Sequence, residues 1–198
     1  VSDHACFARV DWTGSTMVHA ADLLPTPFTR QALEVFCANV QRVQDHLQRE
    51  IAVENLSSYL RWRGDEMDEP AFLCELVRRT GCGLLVDVNN VFVSAHNLGT
   101  NAHHWLDRVN ADAVMEIHLA GHHADPALDN GRRTGLLIDG HDAPVAEAVW
   151  QLYEHLVART GPRPTLIERD GNLPSFDTLM AERARAQSTL SQPAEATA

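Results

Sequence analysis

Short apolar runs that end in polar residues alternate along this chain with helix-like segments. The runs are "VSDH", "IAVEN", "GLLVDVNN", "VMEIHLAGH", "LLIDGHD" and "PTLIERD". Segments with apolar residues at three- and four-residue spacing begin at Thr29, Glu69, Ala143 and Ser175. Strands that are apolar almost throughout and that alternate with helices predict a parallel sheet covered by helices.

Two architectures satisfy this pattern, the open doubly wound sheet and the (β/α)8 TIM barrel. An open sheet concentrates its ligand site at one switch point, whereas every run here ends in candidate site residues, as at the rim of a barrel. The sequence therefore predicts an α/β fold of the TIM-barrel type. Such barrels usually need about 250 residues, and this chain has 198. We expect a fragment with about six of the eight βα units, with the N-terminal units missing.

Domain organisation follows from the same pattern. Residues 1–190 are predicted to form a single partial barrel, and the small polar residues at 191–198 are predicted to form a disordered tail. There is no run of the roughly 18 apolar residues that a membrane span needs, and no export signal at the start. The net charge of -11 excludes a typical nucleic-acid binder. Four cysteines without a CxxC pair indicate reduced buried thiols and a cytoplasmic location.

The eleven histidines are the unusual part of the composition. Side chains alternate along a strand, so Asp87 with Asn89, and Asp139 with His141, are each expected to share one strand face. Glu116 and His118 form a similar pair, and Gly121 can turn the chain so that a further histidine faces the rim. The candidate metal ligands at the predicted rim are His4, Glu54, Asp87, His118, His122, Asp139, His141 and Glu168.

Imidazole and carboxylate together suit zinc, iron or manganese. The set is larger than one tetrahedral ion requires, and its carboxylates would repel one another without cations, so we expect two or more metal ions. Two alternatives exist: His118 and His122 could lie on a helix as an H-x3-H zinc pair, and any single strand-end residue could be a capping residue. His123 is interpreted as a bystander. The segment "AHNLGTNAHH", residues 95–104, is predicted to be a rim loop.

Several motifs carry a family resemblance. The runs "VSDH", "ENLSSYL", "GCGLLVDVNNVFVSAHN", "EIHLAGHH", "LIDGHDAPVAEAVWQLY" and "PTLIERDGNLPSF" closely resemble the UPF0276 (DUF692) family of multinuclear non-haem iron oxidases. They follow in the same order and with similar spacing up to about residue 190.

The resemblance implies a TIM barrel whose rim holds two or three iron ions and uses dioxygen as co-substrate. It implies a cysteine-containing precursor peptide made by the ribosome as substrate, and a small partner protein that recognises the leader of that peptide. It places His4, Glu54, Asp87, His118, Asp139, His141 and Glu168 at ligand positions and adds Asn89 and His122 as further candidates. It places Asp170 near the substrate, as a base or an orienting group. It also implies an earlier ligand histidine on a strand before Val1.

Two other functions fit the same residues. A divalent-metal-dependent TIM-barrel isomerase or phosphoesterase, similar to xylose isomerase, also gathers Glu, Asp and His at strand ends. Such an enzyme uses magnesium, manganese or zinc and needs no dioxygen, so dependence on dioxygen separates it from an oxidase. A metal-binding or partner protein without catalytic activity is the second alternative.

Overall fold

A parallel five-stranded sheet forms the centre of the molecule. The structure is a computed structural model that describes residues 1–12, 16–125 and 135–191. The strands lie side by side in their order along the chain: β1 (Ser2–His4), β4 (Ala52–Glu54), β5 (Gly83–Asp87), β6 (Val114–Ala120) and β9 (Thr165–Glu168). Every neighbouring pair is parallel. This order has no reversal, so the sheet is a section of barrel wall with β1 and β9 at its edges, as the sequence predicted.

Six α-helices accompany the strands in the described ranges: α1 (Arg30–Leu47), α2 (Glu69–Thr80), α3 (Val88–Leu98), α4 (Ala102–Arg108), α5 (Glu147–Thr160) and α6 (Phe176–Leu190). A short 3-10 helix covers Ala111–Ala113. Capping residues define several helix ends: Thr29 and Ser175 accept hydrogen bonds from the first turns of α1 and α6, and Gly81 ends α2 at φ 68°. None of the described helices has both the length and the apolar character that crossing a membrane requires.

Two small antiparallel sheets complete the described part of the chain. The strands β2 (Cys6–Trp12) and β3 (Thr16–Pro25) form a hairpin that the sequence did not predict. The strands β7 (His123–Ala124) and β8 (Leu137–Ile138) form the other. The run "LLIDGHD" was therefore predicted wrongly as a strand of the barrel wall. After β6 the chain forms β7, and β8 pairs with β7 in a separate sheet. The strand next to β6 in the main sheet is therefore β9.

Two further predictions about local structure were wrong. Asn89 does not share a strand face with Asp87, because β5 ends at Asp87 and α3 begins at Val88. Residues 95–104 are not a loop, since α3 continues to Leu98 and α4 starts at Ala102, leaving only three residues between the helices. The predicted tail lies almost entirely at 192–198, outside the described residues.

The hydrophobic core lies between the sheet and the helices that cover it. Leu84 and Val86 of β5 and Ile117 and Leu119 of β6 are almost fully buried. The helices contribute apolar residues from one face each: Leu73, Leu76, Leu106, Val149, Tyr153 and Leu156. Burial of this kind contributes roughly 1.5–3 kcal/mol for each large apolar side chain. The packed core fixes the strands in register and therefore fixes the side chains at their carboxyl ends.

Candidate metal centre

The last residues of the parallel strands meet at one edge of the sheet. His4 is paired in register with Glu54, and Asp87 with His118. Glu168 ends β9 and pairs in register with Ala120, which lies two residues beyond His118 in β6. Parallel strands end at the same side, so these polar side chains converge without a special loop. Asp139 and His141 join them from the segment that follows β8 and not from a shared strand face.

Two overlapping groups of ligand atoms result. Glu54, Asp87 and His118 form the first group, and Asp87, His141 and Glu168 form the second. Within each group the ligand atoms lie within 4.8 Å of one another. Asp87 belongs to both groups, which is the arrangement in which one carboxylate can bind two neighbouring metal ions.

The two histidines lie close to carboxylates on several sides. His118 Nδ1 is 3.3 Å from Glu168 Oε1 and 3.5 Å from Glu54 Oε1. His141 Nε2 is 3.0 Å from Asp139 Oδ1, and its Nδ1 is 3.3 Å from Glu168 Oε2. His4 Nε2 is 3.3 Å from Glu54 Oε2, so this histidine also lies at the centre.

Three buried atoms of the centre have no hydrogen-bond partner among the described residues. They are Asp87 Oδ2, His118 Nδ1 and His141 Nε2. The two ring nitrogens are within ion-pair distance of carboxylates, but the geometry is not that of a hydrogen bond. A buried polar atom without a partner is unfavourable and rare, unless an ion occupies the site. The residues present therefore fit metal ions, with these three atoms as candidate ligands.

The acid–base properties of the centre show the same shortage of positive charge. Burial raises the pKa of Asp87 well above its usual 3.8, and the Asp139 carboxylate raises it further. Burial lowers the pKa of His118, but the nearby Glu168 and Glu54 carboxylates favour the protonated ring, outweigh burial and raise the pKa to about 10. Asp139 raises the pKa of His141 to about 9. In the absence of metal, protons thus supply charge that cations would otherwise supply.

Asp87 and His118 are held by neighbours that do not belong to either ligand group. Asn55 accepts a hydrogen bond from Asp87 N and donates one to Asp87 O, each at 3.0 Å. Asn90 N donates to Asp87 Oδ1 at 2.7 Å, which leaves Oδ2 for a metal. Glu116 Oε1 is 3.6 Å from His118 Nε2, on the other side of the ring from the centre. Such outer contacts orient ligands and fix histidine tautomers.

Asn89 and His122, both candidate ligands, form a hydrogen-bonded chain with Asp139. Asn89 Nδ2 donates to Asp139 Oδ1 at 2.7 Å, and Asn89 Oδ1 is 2.7 Å from His122 Nδ1. Both polar ends of the buried Asn89 amide are therefore engaged. Neither Asn89 nor His122 belongs to a ligand group found in the described residues. His123 lies apart from both groups and is 2.9 Å from Asp142.

A cavity of about 400 Å³ opens onto the centre. Asp170 lies at this cavity with 80% of its side chain exposed, and its Oδ2 is 3.4 Å from His141 Nδ1. Ser57 donates to Asp139 Oδ2 at 3.1 Å, and Asp139 N donates to the Tyr59 hydroxyl at 3.2 Å. Sequence reasoning did not single out Ser57 and Tyr59, because they lie in the irregular segment after β4, where no regular spacing links them to the ligands.

The chain has close relatives among curated proteins. A UPF0276 protein of Caulobacter sp. (strain K31) is 55% identical over 194 residues, covering 98% of this chain and 67% of the relative. One from Caulobacter vibrioides (strain NA1000 / CB15N) is 55% identical over 190 residues, covering 96% and 64%. One from Bordetella parapertussis is 47% identical over 192 residues, covering 97% and 64%. The chain thus spans about two thirds of the length of these relatives.

A solved structure supports the fold. A xylose isomerase domain containing protein from Salmonella typhimurium LT2 aligns with a TM-score of 0.52 at 19% identity, over 86% of this chain and 62% of that one. At this identity the likeness concerns the fold alone, and it agrees with the barrel-wall sheet. The family described as "RiPP precursor modification enzyme MbnB/TglH/ChrH" matches residues 1–191. By this match and by the identity to its UPF0276 relatives, the chain belongs to the MbnB/TglH/ChrH family of enzymes that modify RiPP precursors, the ribosomally made peptides.

Proposed function

We propose that this protein is a multinuclear iron-dependent oxidase that uses dioxygen to modify cysteine residues in a ribosomally synthesised peptide. The observation that carries the proposal is the pair of ligand groups that share Asp87. A single metal ion would leave one of these groups without a cation. Two ions would engage Asp87 Oδ2, His118 Nδ1 and His141 Nε2, the three buried atoms without a hydrogen bond.

The donor set narrows the choice of metal. It contains imidazole and carboxylate and no thiolate, which suits iron, manganese or zinc. Membership of a family that modifies RiPP precursors supports a peptide substrate. The resemblance to multinuclear iron oxidases favours iron among the three metals. Bound iron supplies a Lewis acid and a source of electrons, which cysteine oxidation by dioxygen requires.

The chain's own residues then have distinct roles in this proposal. Glu54, Asp87, His118, His141 and Glu168 hold the metals, and His4 and Asp139, which line the same cavity, complete the centre. Asp170 is exposed at the cavity, so its carboxylate can take the proton of an incoming thiol or orient the peptide. Ser57 and Tyr59 fix Asp139, and they keep it directed at His141.

The proposal includes a small partner protein that recognises the leader of the precursor peptide, as the family resemblance implies. It also includes a cytoplasmic location, where the ribosome makes the peptide. The free cysteines Cys6, Cys37, Cys74 and Cys82 agree with a reducing compartment.

Metal content is the direct test. The protein is purified without oxygen from iron-supplemented cells, and its metals are measured by mass spectrometry. We expect two or more irons per chain. Glu54→Gln should lose iron, whereas Glu147→Gln, a surface carboxylate paired with Arg185, should retain it. If the protein contains only zinc or magnesium and takes up no iron on reconstitution, the oxidase proposal is wrong. An isomerase or phosphoesterase would then be the better assignment.

Activity is tested on cysteine-containing peptides with and without dioxygen. Precursor peptides are taken from genes near the gene for this protein, and a serine-for-cysteine version of each peptide is the control. We expect a mass change only with cysteine and dioxygen together. A mass change that is the same without dioxygen would contradict the oxidase assignment even if iron is bound.

A further inference from the structure

A second cavity, of about 350 Å³, lies against the segment 56–62 that also walls the metal centre. Ser57 and Tyr59 line the cavity at the metal centre, whereas Ser58, Leu60 and Trp62 line the second one. Residues 57–60 thus alternate between the two cavities, and Arg61 continues the wall of the second one, so this segment lies between the two cavities. The volume lies at the lower end of the range for small-ligand pockets, about 300–1,000 Å³.

Three large aromatic side chains contribute to the walls of this second cavity, and hydrogen bonds hold two of them. Phe28, Trp62 and Trp105 line it. Trp62 Nε1 donates to Pro25 O at 2.8 Å, and Trp105 Nε1 donates to Glu69 Oε2 at 2.9 Å. The indole rings therefore present fixed apolar faces, and indole faces also attract cations.

Glu69 lines this cavity and carries an oxygen without a partner. The residue is 9% exposed, and its Oε1 makes no hydrogen bond within the described parts of the chain. Burial raises the pKa of Glu69 to about 7, although the hydrogen bond from Trp105 opposes the rise. A buried carboxyl group of this kind is stabilised by a donor, and most strongly by a cationic one.

Among the described residues, neither guanidinium group at this cavity, of Arg61 or of Arg108, forms an ion pair with Glu69. Asp68 is ion-paired with Arg108, and its other oxygen caps α2 through Ala71 N. Asp65 accepts a hydrogen bond from Phe28 N. The lining contains three carboxylates, of Asp65, Asp68 and Glu69, and two guanidinium groups, of Arg61 and Arg108. It therefore has an excess of one negative charge, and Glu69 is its buried carboxylate with an unused oxygen.

We propose that the second cavity binds a lysine or arginine side chain of the precursor peptide, with the aliphatic stem against the Trp62 and Trp105 rings and the cationic tip on Glu69 Oε1. This inference rests on the proposed function in one respect: the proposed function identifies a peptide as the source of the basic side chain. A basic side chain bound here anchors the peptide on one face of segment 56–62. The cysteine to be modified then enters the cavity on the other face.

Calorimetric titration with two matched probes tests the site. N-acetyl-lysine methylamide is the cationic probe, and N-acetyl-norleucine methylamide has the same stem without the charge. We expect the lysine probe to bind at least ten times more tightly than the norleucine probe. Glu69→Gln keeps the side-chain volume and the oxygen that accepts the hydrogen bond from Trp105. We expect this variant to bind the lysine probe at least ten times more weakly. Glu66→Gln is the control, since Glu66 bonds to Arg30 N and does not line the cavity.

A second variant keeps the test valid if Glu69→Gln does not fold. Trp62 is 37% exposed and is not part of the buried core, so we expect Trp62→Ala to fold. This variant should also bind the lysine probe more weakly. Equal binding of the two probes, no binding of either, or unchanged binding in both variants would overturn the proposal.

Neither probe contains cysteine, and binding does not need turnover, so failure of the oxidase proposal is separate from failure of this one. Lysine-probe binding without any peptide oxidation would reject only the oxidase. With active protein, replacing one basic residue of the peptide by norleucine should raise KM and leave kcat nearly unchanged. If free lysine probe binds but no such peptide replacement changes KM, the source of the basic group is not the peptide and the proposal fails.

Discussion

Asp87 is the residue on which both ligand groups depend, and replacing it should affect both metals. Asp87→Asn keeps the volume and the oxygen that caps Asn90 N, but it removes the charge. We expect nearly all bound metal to be lost, as measured by mass spectrometry of the purified variant. Glu54→Gln is the matched comparison, because Glu54 belongs to only one group. It should lose less metal. Equal metal content in the wild type and in Asp87→Asn would contradict the shared-ligand arrangement.

The same substitution should stabilise the metal-free protein at neutral pH. The pKa of Asp87 is raised in the folded state, so the native protein keeps this proton to higher pH than the unfolded chain does. The contribution of Asp87 to stability therefore decreases as pH rises above its usual pKa of 3.8. In urea unfolding experiments from pH 5 to pH 8, the free energy of unfolding should decrease less for Asp87→Asn than for the wild type. A parallel decrease in both proteins would exclude this effect.

Asn89 should control the tautomer of His122. A carboxylate only accepts hydrogen bonds, so the amide NH₂ of Asn89 faces Asp139 and its oxygen faces His122. The proton of His122 therefore lies on Nδ1, and its Nε2 keeps a free lone pair. Asn89→Ala removes the acceptor, and we expect a mixture of tautomers in the ¹⁵N spectrum of histidine-labelled, metal-free protein. Asn110→Ala, which affects only the cap of the 3-10 helix, should leave the spectrum unchanged. An unaltered His122 signal in Asn89→Ala would refute this role.

The sequence predicted that the candidate ligands on the strands lie close together, but it did not predict the residues that surround them. Glu54, Asp87 and Glu168 end strands and His118 lies two residues before the end of β6, so their convergence follows from the parallel sheet. The side chain of Asn55, which follows β4, forms hydrogen bonds with the backbone of Asp87 at the end of β5. No sequence spacing encodes a contact between the ends of two different strands.

At the scale of elements, the close approach after β6 depends on Gly121. A Cβ atom at this position would lie 1.9 Å from Ala143 O, and His141 N donates to Gly121 O at 3.0 Å. Gly121→Ala must displace either the end of β6 or the segment that carries His141. We expect a lower Tm and reduced metal content. Overpacking of this kind typically costs about 1–3 kcal/mol.

Gly64→Ala is the control for that substitution. A Cβ at Gly64 has no atom within 4 Å, so the Tm of this variant should equal that of the wild type. Circular dichroism melting curves of the two variants provide the comparison. A Gly121→Ala protein with wild-type Tm and metal content would show that the segment after β6 adapts freely.

The helices with a clear apolar period were predicted correctly, including α5, whose start has no side-chain cap. α1 and α2 have helical spacing and a capping residue in the sequence. α3 was missed because it follows β5 with no intervening turn, so the apolar run "GLLVDVNNV" reads as one strand. β8 was placed in the wrong sheet, because pairing partners are set by the path of the chain and not by local composition.

At the scale of the whole molecule, the metal centre links parts of the chain that are far apart in sequence. Its side chains extend from His4 to Glu168, and they come from all five strands of the main sheet and from the segment after β8. The unfolded chain does not bring these groups together, so metal ions bound as proposed would bind mainly to the folded state and stabilise it. They would also offset repulsion in a chain whose net charge is -11.

Removing metal with a chelator should therefore lower the Tm of the entire domain. A ligand at one hundred times its Kd contributes about 2.7 kcal/mol, and at this chain length each kcal/mol shifts Tm by about 2–4 °C, so we expect a decrease of roughly 5–10 °C. Differential scanning calorimetry with and without chelator measures it, and added iron should restore the original value. Asp87→Asn should show no further decrease, because it starts without metal. If metal analysis proves that the ions are gone and Tm is unchanged, the centre does not hold the strands together and the core alone determines the stability.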